Sequence, residues 1–137
     1  MKISIFGLGY VGCVSGACLA DLGHDVVGVD VSPEKLDMIR AGQSPIIEPG
    51  LDELLSKVVK SGALTVTSDT AEAIQNTEIS MICVGTPSRI NGSLDTHFID
   101  RVLEQIGAEI GKASHYHVVV IRSTTLPGLV HDRVIPL

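Results

Sequence analysis

Ile3-Ser4-Ile5-Phe6-Gly7-Leu8-Gly9-Tyr10-Val11-Gly12 is the stretch on which the fold turns. Ile3 to Phe6 is a short apolar run that stops at Gly7 and reads as a first strand. Gly7 to Gly12 matches G-x-G-x-x-G. A helical pattern rich in small residues runs from about Tyr10 to Leu22 and ends at Gly23, where a glycine suits a helix terminus. The glycine pattern alone is a weak signal. It gains weight from lying between a strand and a helix, and from Asp30. That carboxylate closes the next strand, Val26–Val29, close to the spacing of a dinucleotide-binding fingerprint.

Each position has a physical job in such a fingerprint. Gly7 permits a tight turn out of the strand, Gly9 removes a side chain so that backbone can approach a pyrophosphate, and Gly12 allows close helix–sheet packing. The N–H groups at the helix start, including those of Tyr10 and Val11, face the phosphates. Asp30 is placed to accept hydrogen bonds from the adenosine ribose hydroxyls. A carboxylate there repels the additional phosphate of NADP, and no Arg follows within the next few residues to attract it, so NAD is the expected cofactor.

Outward from this unit, strand and helix patterns alternate. Ser32-Pro33 opens a helix that carries Leu36 and Ile39 and ends at Ala41-Gly42; Ser supplies a cap, and Pro is tolerated at the first helical position. Gln43 to Gly50 is a loop marked by Pro45 and Pro49, Leu51 to Lys60 a helix, and Leu64 to Val66 a strand. Asp69 and Glu72 have the spacing of a capping box before a short helix. Ile79 to Val84 reads as a strand, Arg89 to Ser93 as a polar loop, and Thr96 to Gly111 as a helix. The apolar stripe of that helix contains Phe98, Val102, Ile106 and Ile110, widened by Ile99 and Leu103. Val118 to Ile121 is a fifth strand, and Leu126 to Leu137 begins a further element. This alternation predicts an α/β protein: a Rossmann-type doubly wound parallel sheet with helices on both faces, one domain over residues 1–137, stopping before the sixth strand of a complete sheet.

Composition agrees. Hydrophobic residues are 45% of the chain and aromatics 3%, so the core is built from Val, Ile, Leu and Ala, as in buried parallel sheets. A net charge of -6 is a poor basis for nucleic-acid binding, which needs a basic face. No apolar run reaches the length of a membrane span, and no signal peptide precedes the first strand, so a soluble cytoplasmic protein is expected. Cys13, Cys18 and Cys83 lie in apolar stretches without metal-ligand spacing and read as buried structural thiols. His115 and His117 at the start of the fifth strand are read as pointing to opposite faces, and no metal site is expected.

Four ordered motifs extend the reading to a family. Gly7 to Gly12, Glu48-Pro49-Gly50-Leu51, Val84-Gly85-Thr86-Pro87 and Arg122-Ser123-Thr124 together resemble the nucleotide-sugar dehydrogenases, the group that contains UDP-glucose and GDP-mannose dehydrogenases. Two stretches resemble the GDP-mannose branch more closely. One is Ile82 to Ser88 with Asn91-Gly92 and Leu94-Asp95; the other is Arg122-Ser123-Thr124 with Leu126-Pro127-Gly128 and Val134 to Leu137. Thr125 and Leu129 depart from the usual pattern of either branch.

The resemblance implies oxidation of a sugar's primary alcohol to a carboxylate with two NAD, GDP-mannose to GDP-mannuronate in the nearer branch and UDP-glucose in the alternative. It implies a cysteine nucleophile, a lysine and an asparagine beyond residue 137, a nucleotide-sugar substrate bound through that absent region, and a homodimer at full length. The catalytic set therefore includes no residue of this chain, which is expected to bind cofactor without turnover. The resemblance makes Thr86 and Thr124, just past the fourth and fifth strands, contacts of NAD, and brings Lys35 to the adenosine ribose. An NAD-sensing regulatory module of another class would share the glycine fingerprint and Asp30 but not the three later motifs, which are not expected of it.

Overall fold

The computed structural model describes residues 1–136, apart from the side chain of Arg133. Five strands, β1 (Lys2–Phe6), β2 (Asp25–Val29), β3 (Leu64–Thr67), β4 (Ile79–Ile82) and β5 (Val118–Ile121), form one parallel sheet in the order β3-β2-β1-β4-β5. Five helices join them: α1 (Tyr10–Asp21), α2 (Pro33–Arg40), α3 (Leu51–Lys60), α4 (Thr70–Asn76) and α5 (His97–Ile110). The strand order reverses between β1 and β4, which creates a crevice at the carboxyl ends of those strands.

Alternation along the strands sorts the core into two layers. Ile3 and Ile5 of β1, Val26 of β2 and Leu64 of β3 pack with Cys13, Ala17 and Ala20 of α1, Leu36 and Ile39 of α2, and Leu51, Leu55 and Val58 of α3. Phe6, Val29 and Ile82 point the other way and pack with Ala73 and Ile74 of α4 and with Ile99, Leu103 and Ile106 of α5. Helices therefore cover both faces, and the doubly wound sheet expected from the alternation is present. The right-handed rule for parallel crossovers accounts for the sorting: connections that step from β1 toward β3 lie on one face, and those that return toward β5 lie on the other.

Local chemistry sets the helix starts. The Ser32 hydroxyl accepts the Lys35 N–H at 3.4 Å, with Pro33 at the first helical position. Asp69 accepts the N–H groups of Ala71 and Glu72 at 2.8 and 3.2 Å. The expected capping box is only half formed, because Glu72 accepts the Thr67 hydroxyl at 2.7 Å and Asp69 N–H donates to that same hydroxyl.

Three readings need correction. The fourth strand ends at Ile82, two residues early: the Cys83 N–H still donates to the Phe6 carbonyl at 2.8 Å, but Cys83 and Val84 lie past the strand and line the crevice. Of the three thiols, Cys13 is buried, Cys83 half-buried and Cys18 exposed, the last on the outer side of α1. His115 and His117 do not diverge: residues two apart share a face in extended chain, and their ring centroids are 5.8 Å apart. His117 Nε2 bonds the Ser80 hydroxyl at 2.8 Å, and His115 Nε2 bonds the Thr77 carbonyl at 2.8 Å. The stretch after Leu126 forms a π-helical turn, Val130–Val134; Leu137 lies outside the described residues.

Candidate functional site

The turn between β1 and α1 owes its shape to two glycines. Gly7 has φ +93°, which side-chain-bearing residues rarely adopt, and its N–H donates to the Val29 carbonyl at 2.8 Å. A Cβ on Gly12 would sit 1.9 Å from the Gly7 carbonyl oxygen. Gly12 is thus required by contact with the turn itself, a closer constraint than the helix–sheet packing expected of it.

Gly9 differs. Its backbone (φ −77°, ψ −162°) is open to any residue, and a Cβ there would meet none of the described residues within 4 Å. Neither conformation nor packing within the protein calls for glycine. The position is also the N-cap of α1, where Ser, Thr or Asp would stabilise the helix, yet no side chain among the described residues caps it. The first intrahelical bond is Cys13 N–H to Gly9 C=O at 2.9 Å. The N–H groups of Tyr10, Val11 and Gly12 precede it and have no partner within the helix. No residue of the helix's own first turn is acidic, so its N–H groups keep their partial positive charge over open space, an arrangement suited to a phosphate.

Asp30 ends β2 beside this turn. Its side chain is 7% exposed. Oδ2 accepts the Leu8 N–H at 2.7 Å, and Oδ1 accepts the Ser32 N–H at 3.0 Å. Two backbone donors thus fix the carboxylate, and Lys35 Nζ approaches Oδ2 at 3.3 Å. A fixed, partly paired carboxylate with spare lone pairs can accept from a vicinal diol.

A cavity of about 320 Å³ opens at the crevice, where Gly7, Gly9, Asp30 and Lys35 line it. Ser68 and Thr70 after β3, Cys83 to Gly85 after β4, and Phe98, Arg101 and Gln105 of α5 complete its wall. The structure therefore brings four of the expected site residues together around one space. Tyr10, Val11 and Gly12 stand beside it on α1. Thr86 and Thr124 lie past the ends of β4 and β5 and do not line this cavity. Sequence reasoning missed the α5 wall. Phe98 fits the apolar stripe by spacing, but it is 50% exposed and faces the cavity, while Ile99, Leu103 and Ile106 make the buried line.

Tyr10 and Glu48, 38 positions apart, form a second contact that spacing could not reveal: the phenol donates to the Glu48 carboxylate. That hydrogen bond holds the Tyr10 phenol above its usual range. Glu48 thereby ties the loop before α3 to the first turn of α1. Burial pushes the Cys13 thiol up to about 11 and raises Cys83 as well, so neither is an activated nucleophile at neutral pH.

An open glycine edge, uncapped helix N–H groups and a fixed carboxylate at the next strand end define a dinucleotide-binding Rossmann domain, and these residues fit NAD. The family model for the NAD binding domain of the UDP-glucose/GDP-mannose dehydrogenase family matches residues 1–137, and the chain belongs to that family. It is 55% identical to the GDP-mannose 6-dehydrogenase of Azotobacter vinelandii over 137 residues, which are 100% of this chain and 31% of that protein. The crystal structure of a ternary complex of GDP-mannose dehydrogenase from Pseudomonas aeruginosa superposes with a TM-score of 0.98 at 52% identity, over 100% of this chain and 31% of that one. The UDP-glucose 6-dehydrogenase of Rhizobium meliloti is 43% identical over 129 residues, 93% of this chain and 29% of that protein. The chain thus spans about a third of the length of these relatives. Among the described residues no helix is long and apolar enough to cross a membrane.

Proposed function

We propose that residues 1–137 are the NAD-binding domain of an enzyme that oxidises the primary alcohol of GDP-mannose to the carboxylate of GDP-mannuronate. The observation that carries the choice of sugar is the gap in identity: 55% to a GDP-mannose enzyme against 43% to a UDP-glucose enzyme. Alcohol to carboxylate is a four-electron oxidation. Bound NAD accepts one hydride, two electrons, so each sugar consumes two NAD.

In this reading the chain's own residues bind and orient. The N–H groups of Tyr10, Val11 and Gly12 hold the pyrophosphate over Gly9. Asp30 accepts the adenosine ribose hydroxyls, and Lys35 balances its charge. Gly7 and Gly12 fix the turn on which these groups sit. Thr86 and Thr124 contact the far half of the cofactor, beyond the ends of β4 and β5. Chemistry at the sugar belongs to a cysteine, a lysine and an asparagine further along the full-length protein, which acts as a cytoplasmic homodimer. This chain alone binds NAD without turning over substrate.

Following NADH absorbance with the full-length protein and each sugar nucleotide tests the proposal. Two NADH per GDP-mannose and none with UDP-glucose is the expected result. Reaction with UDP-glucose alone overturns the choice of sugar, and reaction with neither overturns the activity.

A further inference from the structure

The first turn of α1 has little of its own to hold it in place. No side chain among the described residues caps it at Gly9, none of its residues is acidic, and Gly12 and Gly16 are poor helix formers. A phosphate nonetheless needs the N–H groups there to converge on one point.

Two long-range hydrogen bonds supply what the turn lacks. On one side the Tyr10 phenol donates to the Glu48 carboxylate. On the other, Arg122 donates to the Ser15 hydroxyl, which donates in turn to the Val11 carbonyl at 2.6 Å. Glu48 precedes α3 and β3, one edge strand of the sheet, whereas Arg122 follows β5, the other edge strand. Both anchors are themselves fixed. The Leu51 N–H donates to the Glu48 carbonyl at 3.2 Å, the Asp52 carboxylate accepts the Ser44 N–H at 2.6 Å, and Leu51 and Leu55 are buried in the core. The Arg122 N–H donates to the Ile82 carbonyl at 2.9 Å, which continues the ladder between β4 and β5. Neither Glu48 nor Arg122 lines the cavity that holds Asp30.

We infer that Glu48 and Arg122 are positioning residues for the cofactor: through Tyr10 and Ser15 they brace the first turn of α1 from two sides, so that its N–H groups are oriented before the pyrophosphate arrives. Ordering the turn in advance removes that entropy loss from binding, and the gain appears as affinity. The inference rests on the reading that these N–H groups bind the pyrophosphate. It gives Glu48-Pro49-Gly50-Leu51 a physical role: Leu51 seats α3 in the core, and Glu48 reaches back to α1.

Calorimetric titration of NAD into the full-length protein tests it, with adenosine, which lacks the pyrophosphate, as a competitor. Tyr10→Phe and Glu48→Ala should each weaken NAD roughly three- to tenfold, the range of one hydrogen bond. The double variant should be no weaker than either single one, because both remove the same bond. Glu48→Gln keeps an acceptor for the phenol and should bind NAD as the parent does or more tightly, since the carboxylate's charge opposes the phosphates. Arg122→Ala should weaken NAD by a similar factor, and so should Ser15→Ala, which cuts that brace without removing a charge. Adenosine should bind all of them alike.

Undiminished NAD affinity in folded Tyr10→Phe and Glu48→Ala proteins overturns the role of Glu48, as does tighter binding by Glu48→Ala, which would leave the carboxylate only an electrostatic opponent. A loss in Arg122→Ala that Ser15→Ala does not share overturns the role of Arg122. An equal loss for adenosine contradicts both, since the whole site would then have loosened. Should Glu48→Ala fail to fold by circular dichroism, Tyr10→Phe, which removes one oxygen from an exposed side chain, decides. The pyrophosphate reading fails separately, by a Gly9→Ser protein that binds NAD unchanged.

Discussion

At the end of the sheet where the strands begin, polar side chains close on one another. Ser4 and Ser80 hydroxyls meet at 2.7 Å, Thr77 donates to Ser4 at 3.1 Å or to the Ala73 carbonyl at 2.7 Å, and His117 joins through Ser80 at 2.8 Å. At the end where the strands finish, the first N–H groups of α1 stand over open space, and the carboxylate of Asp30 borders a cavity. Both ends gather polar groups where strands begin or finish. Desolvating such groups is costly unless they are paired, so the first end spends its hydrogen bonds on the fold and the second keeps them for a ligand. A change at the first should therefore alter stability alone, and a change at the second should alter binding.

The strongest way to break this division is Gly12→Ala, where the two demands coincide. Its Cβ would overlap the Gly7 carbonyl oxygen, so we expect a loss of about 3 kcal/mol in urea unfolding, with NAD binding lost as the turn shifts. A loss under about 0.5 kcal/mol would mean that the turn yields easily. Ser4→Ala sharpens the contrast from the other end. It removes the hydroxyl shared by Ser80 and Thr77, which should cost about 1–2 kcal/mol of stability and leave NAD affinity unchanged.

The closed end also carries a pH dependence. Burial, followed by the charge of His115, lowers His117 from its ordinary value of 6.5, and its buried Nδ1 has no hydrogen-bond partner among the described residues. The unfolded chain then takes up a proton at higher pH than the folded one. The stability that a neutral His117 supports is full above 6.5 and declines as pH falls through 6.5 toward the depressed folded value. Unfolding curves for His117→Gln should show a shallower decline over that window than the parent, and an identical decline would assign it to other groups. Cys18→Ser is the smallest change. The thiol is exposed and does not line the cavity, so stability should move by under about 0.5 kcal/mol and NAD affinity not at all.

Much of the open end could be read directly from the chain because its parts are local. One strand, one turn and one helix start carry Gly7, Gly9 and Gly12, and Asp30 closes the very next strand. The rest depends on topology. Arg101 and Phe98 reach the cavity only because the return crossover places α5 on the opposite face, and helical spacing alone assigns Phe98 to the core. Tyr10 and Glu48 meet across a loop whose path no periodicity encodes. The expectation that His115 and His117 point to opposite faces fails for a simpler reason: they are two residues apart, and extended chain puts such neighbours on the same side. Thr86 and Thr124 were placed by their strand ends, and they lie there, outside the cavity that holds Asp30.

Gly9→Ser separates ligand from fold most directly. The backbone at Gly9 accepts serine, its Cβ would touch none of the described residues, and the hydroxyl would cap the N–H of Val11 or Gly12. Unfolding and NAD titration of the same sample should show stability unchanged or raised by a few tenths of a kcal/mol, with NAD affinity reduced on the order of tenfold or more. Undiminished NAD affinity in a folded Gly9→Ser protein would contradict the claim that these N–H groups are reserved for the pyrophosphate.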